Sequence, residues 1–413
     1  MYLIIGASLS GAKAAQTLRE EGYTGRLVLV GEETHRPYER PPLSKGFLAG
    51  KEPEEKAFVH DAGWYAEHDV ELLLGRRATH LDVAAHTVTL DGVDELRYDK
   101  LLLATGSRVR TLDVAGADAH GIRYLRTMDE AEALLDGLRA GGNVVVIGAG
   151  WIGLEVAAAA REHGCTVDVI EMAPLPLHNV LGHEVAAIFR DLHEAHGVRF
   201  HFEAGVREIG AVSGRVSNVV LEDNTEVAAD LVLVGVGIRP ATELAETAGL
   251  TVDDGVVTDA SLRTADPDVF ACGDVARFHS PLVGDRIRVE HWSNALNGGP
   301  AAARSMLGQA VEYDRVPYFF TDQYDLGMEY AGWVPPRGYD RVVFRGDPSI
   351  VDGKTPEFVV FWTKGGRVLA GMNVNVWDVQ DQIQALVRAG YAGTAVDLDR
   401  LADPSVPLDS LVG

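Results

Sequence analysis

The sequence predicts an α/β protein with two dinucleotide-binding domains and a C-terminal α+β domain. Three observations carry that expectation. A strand, a glycine turn, a helix, a second strand and an acid follow one another over Val144–Glu171. The same order occurs earlier, over Met1–Glu33, and aromatic residues become dense after Val316.

The chain opens with a strand at Met1–Ile5, the turn Gly6-Ala7-Ser8-Leu9-Ser10-Gly11, and a helix Ala12–Glu21 stopped by Gly22. A strand Arg26–Val30 follows and leads into Gly31, Glu32 and Glu33. In such a motif the first glycine permits a tight turn and the second lets backbone approach a pyrophosphate. The third lets the helix pack on the strand. Gly6 and Gly11 keep the outer positions, while Ser8 takes the middle one and adds a Cβ and a hydroxyl able to donate to phosphate.

Next comes the loop Arg36-Pro37-Tyr38-Glu39-Arg40-Pro41-Pro42-Leu43-Ser44-Lys45. Two successive prolines stiffen it, and Ser44 is expected to cap a helix starting at Lys45. Arg40 and Lys45 are thereby held on a rigid segment. Arg76–Leu90 alternates like paired strands turning at Asp82, and Leu101–Leu103 is a buried strand ending in Ala104-Thr105-Gly106. Small residues there suit a close approach of backbone to a ligand. Asp113–Gly121 reads as a crossing between domains, and Met128–Leu138 as a helix by its apolar spacing.

The second motif is complete. Val144–Ile147 is a strand, Gly148, Gly150 and Gly153 take the turn positions, and an Ala-rich helix runs over Leu154–His163. A pyrophosphate is expected at the helix N-terminus, where unpaired N–H groups and the helix dipole favour an anion. Strand Thr166–Ile170 ends in Glu171, placed to hold an adenosine ribose 2′-OH. No Arg follows in Met172–Leu177, so NADH is expected rather than NADPH. Two dinucleotide sites in one chain imply that one cofactor passes electrons to another.

Leu175–Leu177 is a proline-punctuated loop, followed by an amphipathic helix His183–His196. His183, His193, His196 and His201 read as surface histidines, since no carboxylate or cysteine cluster completes a metal site. Strands are expected at Val198–Phe202, Val216–Leu221 and Leu231–Gly237. Val269–Asp274 sets an acid at a strand terminus, with Cys272 as a small core residue. Glu290–Ala295 opens a helix running to about Leu307. In the aromatic C-terminal part, Glu357–Trp362 and Arg367–Val374 read as antiparallel strands and Val379–Ala389 as a helix packed on them.

Composition narrows the function classes. The 413 residues carry 37 basic and 61 acidic side chains, a net charge of −24, which argues against nucleic acid or an anionic membrane as partner. Cys165 and Cys272 have no CxxC neighbour, so no disulfide framework, zinc site or chain-borne iron–sulfur cluster is expected. No basic n-region and apolar h-region open the chain, and the longest apolar run, Val144–Ala160, carries Glu155 and three glycines. A cytoplasmic protein without a secretory signal or a membrane span is therefore expected.

The succession GASLSG, RPPLSK, LLLATGS, GAGWIGLE, VIE, VGVGIRP, FACGDVA, EHWSNA and FFTDQY resembles flavoprotein ferredoxin reductases, the NADH-dependent kind that feeds oxygenase systems, across essentially the whole chain. The resemblance implies a glutathione reductase-like flavoprotein of two Rossmann-like domains and a C-terminal α+β interface domain. Residues 1–110 and 239–315 would form the FAD domain, 111–238 an inserted NAD domain, and 316–413 the interface domain. It implies FAD on the first motif, NADH on the second and a ferredoxin as acceptor, in a monomer or weak dimer.

Residue by residue, the resemblance assigns Gly6, Ser8 and Gly11 to the FAD turn and Glu32 to its ribose. Arg40, Pro41 and Lys45 would lie along the FAD, Lys45 beside the ring. Ala78, Ala104, Thr105 and Gly106 would add contacts, and Asp274 would hold the ribitol or pyrophosphate end. Glu290 and His291 precede Trp292, which would flank the isoalloxazine, and Glu155 matches a carboxylate facing Lys45. The implied catalytic set is Lys45, Glu155 and Trp292, and the NADH set is Gly148, Gly150, Ile152, Gly153, Glu171 and Gly237. Three departures stand out: Ser8 for glycine, Phe320 where relatives often have Trp, and Met372–Trp377.

Two other classes use the same scaffold. A flavin-dependent reductase of disulfide, peroxide or oxygen needs a redox-active cysteine after the first motif, and Arg36–Lys45 has none. A non-catalytic, NADH-sensing flavoprotein would show slow flavin reduction. For a reductase, ferredoxins are generally acidic, so a local basic patch is expected around Arg40 and on the C-terminal domain.

Overall fold

A computed structural model describes residues 1–335, 338–351 and 353–412. Contacts divide the chain into two units. The first comprises Met1–Glu39, Glu54–Arg108 and Arg239–Tyr318, and the second comprises Arg40–Pro53, Val109–Ile238 and Phe319–Gly413.

The first unit is built on a parallel five-stranded sheet. Its order is Val269–Ala271, Lys100–Leu103, Tyr2–Ile5, Leu27–Val30, Val70–Leu73. The strands read as unbroken apolar runs because both faces are covered. On one face, Leu3, Ile5, Val28, Val30 and Leu101 pack against Leu81, Val88 and Leu90 of an antiparallel meander. Two helices, Leu9–Glu20 and Trp292–Met306, pack on each other side by side. They run parallel: the Ser10 hydroxyl donates to the Ala295 carbonyl at 3.1 Å near their starts, and Arg304 pairs with Glu21 at 2.9 Å near their ends. The helices approach this closely because Gly299 lacks a Cβ, which would stand 2.2 Å from the Ser10 carbonyl oxygen.

The second unit repeats the plan. Its parallel sheet has the order Val198–Phe202, Thr166–Glu171, Asn143–Ile147, Leu231–Val234, Ile122–Arg123. Val145, Ile147, Ile170 and Val232 pack against Ile209, Val216 and Val219 of a second antiparallel meander. The helix Met128–Ala140 starts at a capping box, in which Thr127 accepts from the Glu130 N–H and the Glu130 side chain accepts from the Thr127 N–H. The C-terminal segment adds a five-stranded sheet ordered Tyr318–Gln323, Leu326–Gly332, Arg367–Val374, Phe358–Lys364, Arg341–Arg345. The Gln380–Tyr391 helix lies against it at Gly390, where an added Cβ would stand 1.9 Å from the Val368 carbonyl oxygen. Among the described residues no helix is long and apolar enough to cross a membrane.

Two local expectations are corrected. No helix begins at Lys45. The prolines lack N–H donors and fix φ, so the chain closes a single 3-10 turn, Pro41–Ser44, and Ser44 caps nothing. His193 is not at the surface but fully buried, because Val185, Phe189, Leu192 and His193 share the inward stripe of His183–Ala195.

Candidate active site

In both parallel sheets the strand order reverses beside the strand that leads into a glycine turn. Ligands of open α/β sheets bind at the carboxyl ends of strands at such a reversal.

In the first unit the reversal lies between Tyr2–Ile5 and Lys100–Leu103. Gly6 (φ +122°) follows the former, and a Cβ on it would stand 2.0 Å from the carbonyl oxygen of Ala104, which follows the latter. A Cβ on Gly11 would stand 2.1 Å from the Gly6 carbonyl oxygen, so helix and turn interlock. Ser8 is extended (φ −126°, ψ −161°), makes no side-chain cap, and its hydroxyl lies 3.5 Å from the Tyr38 carbonyl oxygen. Gly106 (φ +67°) accepts from the Ala241 N–H, and the Thr105 hydroxyl donates to the Ala241 carbonyl at 2.8 Å. Because the Leu9–Glu20 and Trp292–Met306 helices are parallel, their positive ends converge. Half-buried Asp274, in the short 3-10 turn Gly273–Val275, belongs to this end, where Gly273 meets Ser10. Trp292 opens the second helix and its indole N–H donates to Glu39 at 2.8 Å. His291, the cap position, is half-buried, and lost solvation of the ring pushes its pKa down to about 4 against an opposing pull from Asp274. Glu290 pairs with Arg288. Glu32 is exposed and lies 3.3 Å from Arg108 and 3.7 Å from Arg77. Ala78 starts the first meander strand.

In the second unit the reversal lies between Asn143–Ile147 and Leu231–Val234. A Cβ on Gly148 (φ +100°) would stand 2.4 Å from the Gly235 carbonyl oxygen, and one on Gly153 would stand 2.1 Å from the Gly148 carbonyl oxygen. At Gly150 a Cβ would meet nothing within 4 Å, which leaves open space before the Trp151–Glu162 helix. Glu171 ends its strand with both carboxylate oxygens in use, accepting from Ala149 N–H at 2.7 Å and Ala173 N–H at 2.8 Å. The acid is therefore tied to the glycine turn. Ile152 is partly exposed on the first helical turn, and Gly237 (φ +100°) accepts from the Arg110 N–H.

The same unit holds an ionic cluster that the sequence reading only half foresaw. Glu155, 3% exposed, accepts from Lys45 Nζ at 2.5 Å, from Ser44 Oγ at 2.5 Å and from Thr321 Oγ1 at 2.6 Å. A buried carboxylate is tolerable only when paired and hydrogen-bonded in this way. Lys45 Nζ also lies 5.3 Å from the Phe320 ring centroid, within reach of a cation–π contact. The Arg40 guanidinium donates to the Arg126 carbonyl. Pro41 starts the turn that delivers Ser44 and Lys45. The expected pairing of Lys45 with Glu155 thus stands as a direct contact, and Ser44 and Thr321 join it unforeseen. The signal for Thr321 was its place in FFTDQY, where alternation puts Phe319, Thr321 and Gln323 on one strand face.

Both thiols are buried. Burial pushes Cys272 up to about 12 and raises Cys165 as well, so neither forms a thiolate near neutral pH. Among the histidines, His201 lies 2.9 Å from Asp168 and His196 stacks on Tyr324, and among the described residues no group of three metal-binding side chains occurs.

The protein-family description "Pyridine nucleotide-disulphide oxidoreductase" matches residues 1–299, and "Reductase C-terminal" matches 318–412. The chain belongs to the pyridine nucleotide-disulphide oxidoreductase family. Within that class it is 40% identical to the ferredoxin–NAD(+) reductase component of the anthranilate 1,2-dioxygenase system of Burkholderia cepacia, over 100% of this chain and 99% of the relative. A crystal structure of a ferredoxin reductase from Rhodopseudomonas palustris superposes with a TM-score of 0.93 at 35% identity, covering 100% of this chain and 99% of the other. The covalent putidaredoxin reductase–putidaredoxin complex gives 0.92 at 36% identity, covering 100% and 97%.

Proposed function

We propose that this chain is an FAD-containing reductase that takes a hydride from NADH and passes single electrons to a ferredoxin serving an oxygenase. The observation that carries the reading is the duplicated glycine turn, each copy seated at the reversal point of its own parallel sheet. The relatives named above as ferredoxin reductases narrow the acceptor. FAD supplies the exchange between a two-electron donor and a one-electron acceptor.

The residues suit these cofactors. Converging helix N-termini and the small Ser8 accommodate the FAD pyrophosphate, and the space at Gly150 accommodates the NADH pyrophosphate. Glu32 serves the FAD ribose, Asp274 the ribitol end, and Ala78, Ala104, Thr105, Gly106, Glu290 and His291 complete the pocket. Trp292, fixed by Glu39, flanks the ring, and Lys45, fixed by Glu155, presents a cation to it beside Arg40 and Pro41. Glu171, anchored by two backbone donors, receives a ribose 2′-OH and repels a 2′-phosphate. Ile152 and Gly237 border that nucleotide. Residues 1–110 with 239–315, 111–238 and 316–413 are then the FAD, NAD and interface domains of a cytoplasmic monomer or weak dimer.

A disulfide-reducing alternative lacks a competent thiol, since Cys165 and Cys272 are both buried. The test is reduction of a panel of ferredoxins by the purified protein with NADH, with identification of the flavin released on denaturation. FAD release and turnover far above that with oxygen are expected. Turnover that falls with salt supports a local basic docking patch, and turnover that rises steadily shows only screening of net repulsion. If no ferredoxin is reduced faster than oxygen, the assignment fails.

A further inference from the structure

Glu155 is the end of a longer chain of side chains, all within the second unit. Thr321 Oγ1 lies 2.6 Å from Glu155, and Gln323 Nε2 lies 3.1 Å from Thr321 Oγ1. His193 Nε2 lies 2.8 Å from Gln323 Oε1, and the Tyr324 hydroxyl lies 3.3 Å from His193 Nδ1. Glu155, Thr321, Gln323 and His193 are each 3% exposed or less.

The donor–acceptor roles follow from Glu155 outward. A carboxylate only accepts, so the single Thr321 proton is committed to Glu155. Thr321 oxygen must then accept, which turns the Gln323 amide nitrogen toward it and the amide oxygen toward His193. His193 must therefore donate from Nε2, and as a neutral ring it accepts at Nδ1 from the Tyr324 hydroxyl. Every bond points toward Glu155. Burial of His193 pushes its pKa down to about 4, in keeping with a neutral ring.

We propose that His193, through Gln323 and Thr321, is a positioning residue that orients the Glu155 carboxylate and with it the Lys45 ammonium. The proposal rests on the function assigned above only in that Lys45 acts on the flavin. The geometry of the relay stands without it. A one-way chain matters because reversing any link leaves a donor facing a donor, or a buried acceptor empty, which buried polar groups do not tolerate. One tautomer of one remote imidazole thereby selects one placement of Lys45.

The first test is 15N NMR of the histidine-labelled holoprotein. His193 is expected as the neutral Nε2–H tautomer at pH 7 and still neutral at pH 5.5. An Nδ1–H tautomer or an imidazolium at pH 6 overturns the proposal, whatever the enzyme reduces. The second is the midpoint potential of the bound flavin in His193→Phe, His193→Gln and Thr321→Val. The Phe and Val variants should lower the equilibrium constant for flavin reduction threefold to tenfold, the latter about 30 mV for a two-electron couple. Their effects should not add in the double variant. His193→Gln, whose amide N–H replaces the Nε2 donor, should restore the wild-type potential. Should Phe not fold, Thr321→Val with the Gln variant suffices. Wild-type potentials in folded Thr321→Val refute the relay, whereas failure of the wild-type protein to reduce any ferredoxin refutes the assigned function and not the relay.

Discussion

The two glycine turns are near-duplicates that differ at their middle position, Ser8 in one and Gly150 in the other. At the outer positions the geometry repeats closely: Gly6 and Gly148 each press a carbonyl of the neighbouring strand end, and Gly11 and Gly153 each press the first glycine's carbonyl. Packing of the protein against itself dictates those four glycines. The middle position obeys a different constraint. Ser8 and Gly150 both have extended backbone with negative φ, and the space around Gly150 is open. At Gly150, then, the protein's own packing does not call for a glycine.

The largest expected effect concerns the cluster that only the second unit carries. Glu155→Ala leaves the Lys45 ammonium, 13% exposed, without its carboxylate, and removing one partner of a buried pair typically costs about 3–5 kcal/mol. A double-mutant cycle with Lys45 should show strong coupling in urea stability, while exposed Glu194→Ala should be silent; additive single effects refute the pairing. Next are Gly6→Ala and Gly148→Ala, each expected to cost about 2–4 kcal/mol through overpacking and positive-φ strain. If either folds with unchanged stability, the outer glycines serve the ligand instead.

Lost solvation pushes three histidines down to about 4, His60 and His291 in the first unit and His193 in the second. The unfolded chain takes up these protons near pH 6.5, before the folded protein does. Stability is therefore whole above pH 6.5 and lost as pH falls toward 4, by at most about 1.4 kcal/mol per pH unit per histidine. Urea midpoints from pH 7.5 to 5 should fall, less steeply in His193→Gln; a slope indifferent to that substitution removes His193 from the account. Discrimination for NADH over NADPH is expected at roughly tenfold in kcat/KM, about 1.4 kcal/mol. Equal efficiency with both nucleotides shows that Glu171 does not meet the ribose. The smallest change is in stability on Gly150→Ser, within about 0.5 kcal/mol. That variant copies the first turn into the second, and a weakened response to NADH with unaltered folding would confirm that the ligand governs the middle position.

What was legible in the chain was local. Turn glycines and the strand-ending Glu171 sit within a few residues of the backbone they organise, so their spacing announces them. Thr321 meets Glu155 across 166 residues, and no period along either element names the partner. His193 was legible in principle, since it follows buried Phe189 by one helical turn, but a polar residue on an apolar stripe was read as surface. Ser44 looked like a cap because serine commonly is one. Its hydroxyl was instead taken by Glu155, 111 residues away.

The parallel helix pair of the first unit bears on synthesis. Ser10 packs at Ala295, 285 residues further on, and at about 5–20 residues per second the ribosome needs roughly 15–60 s to make that interval. For that time the flank of the N-terminal helix that Trp292–Met306 covers has no partner, and the sheet lacks its Val269–Ala271 edge. The second parallel sheet draws all its strands from Ile122–Val234, so its pairings close soon after they emerge. The nascent chain thus completes its middle before its beginning, and the first nucleotide turn is among the last parts to acquire a stable setting.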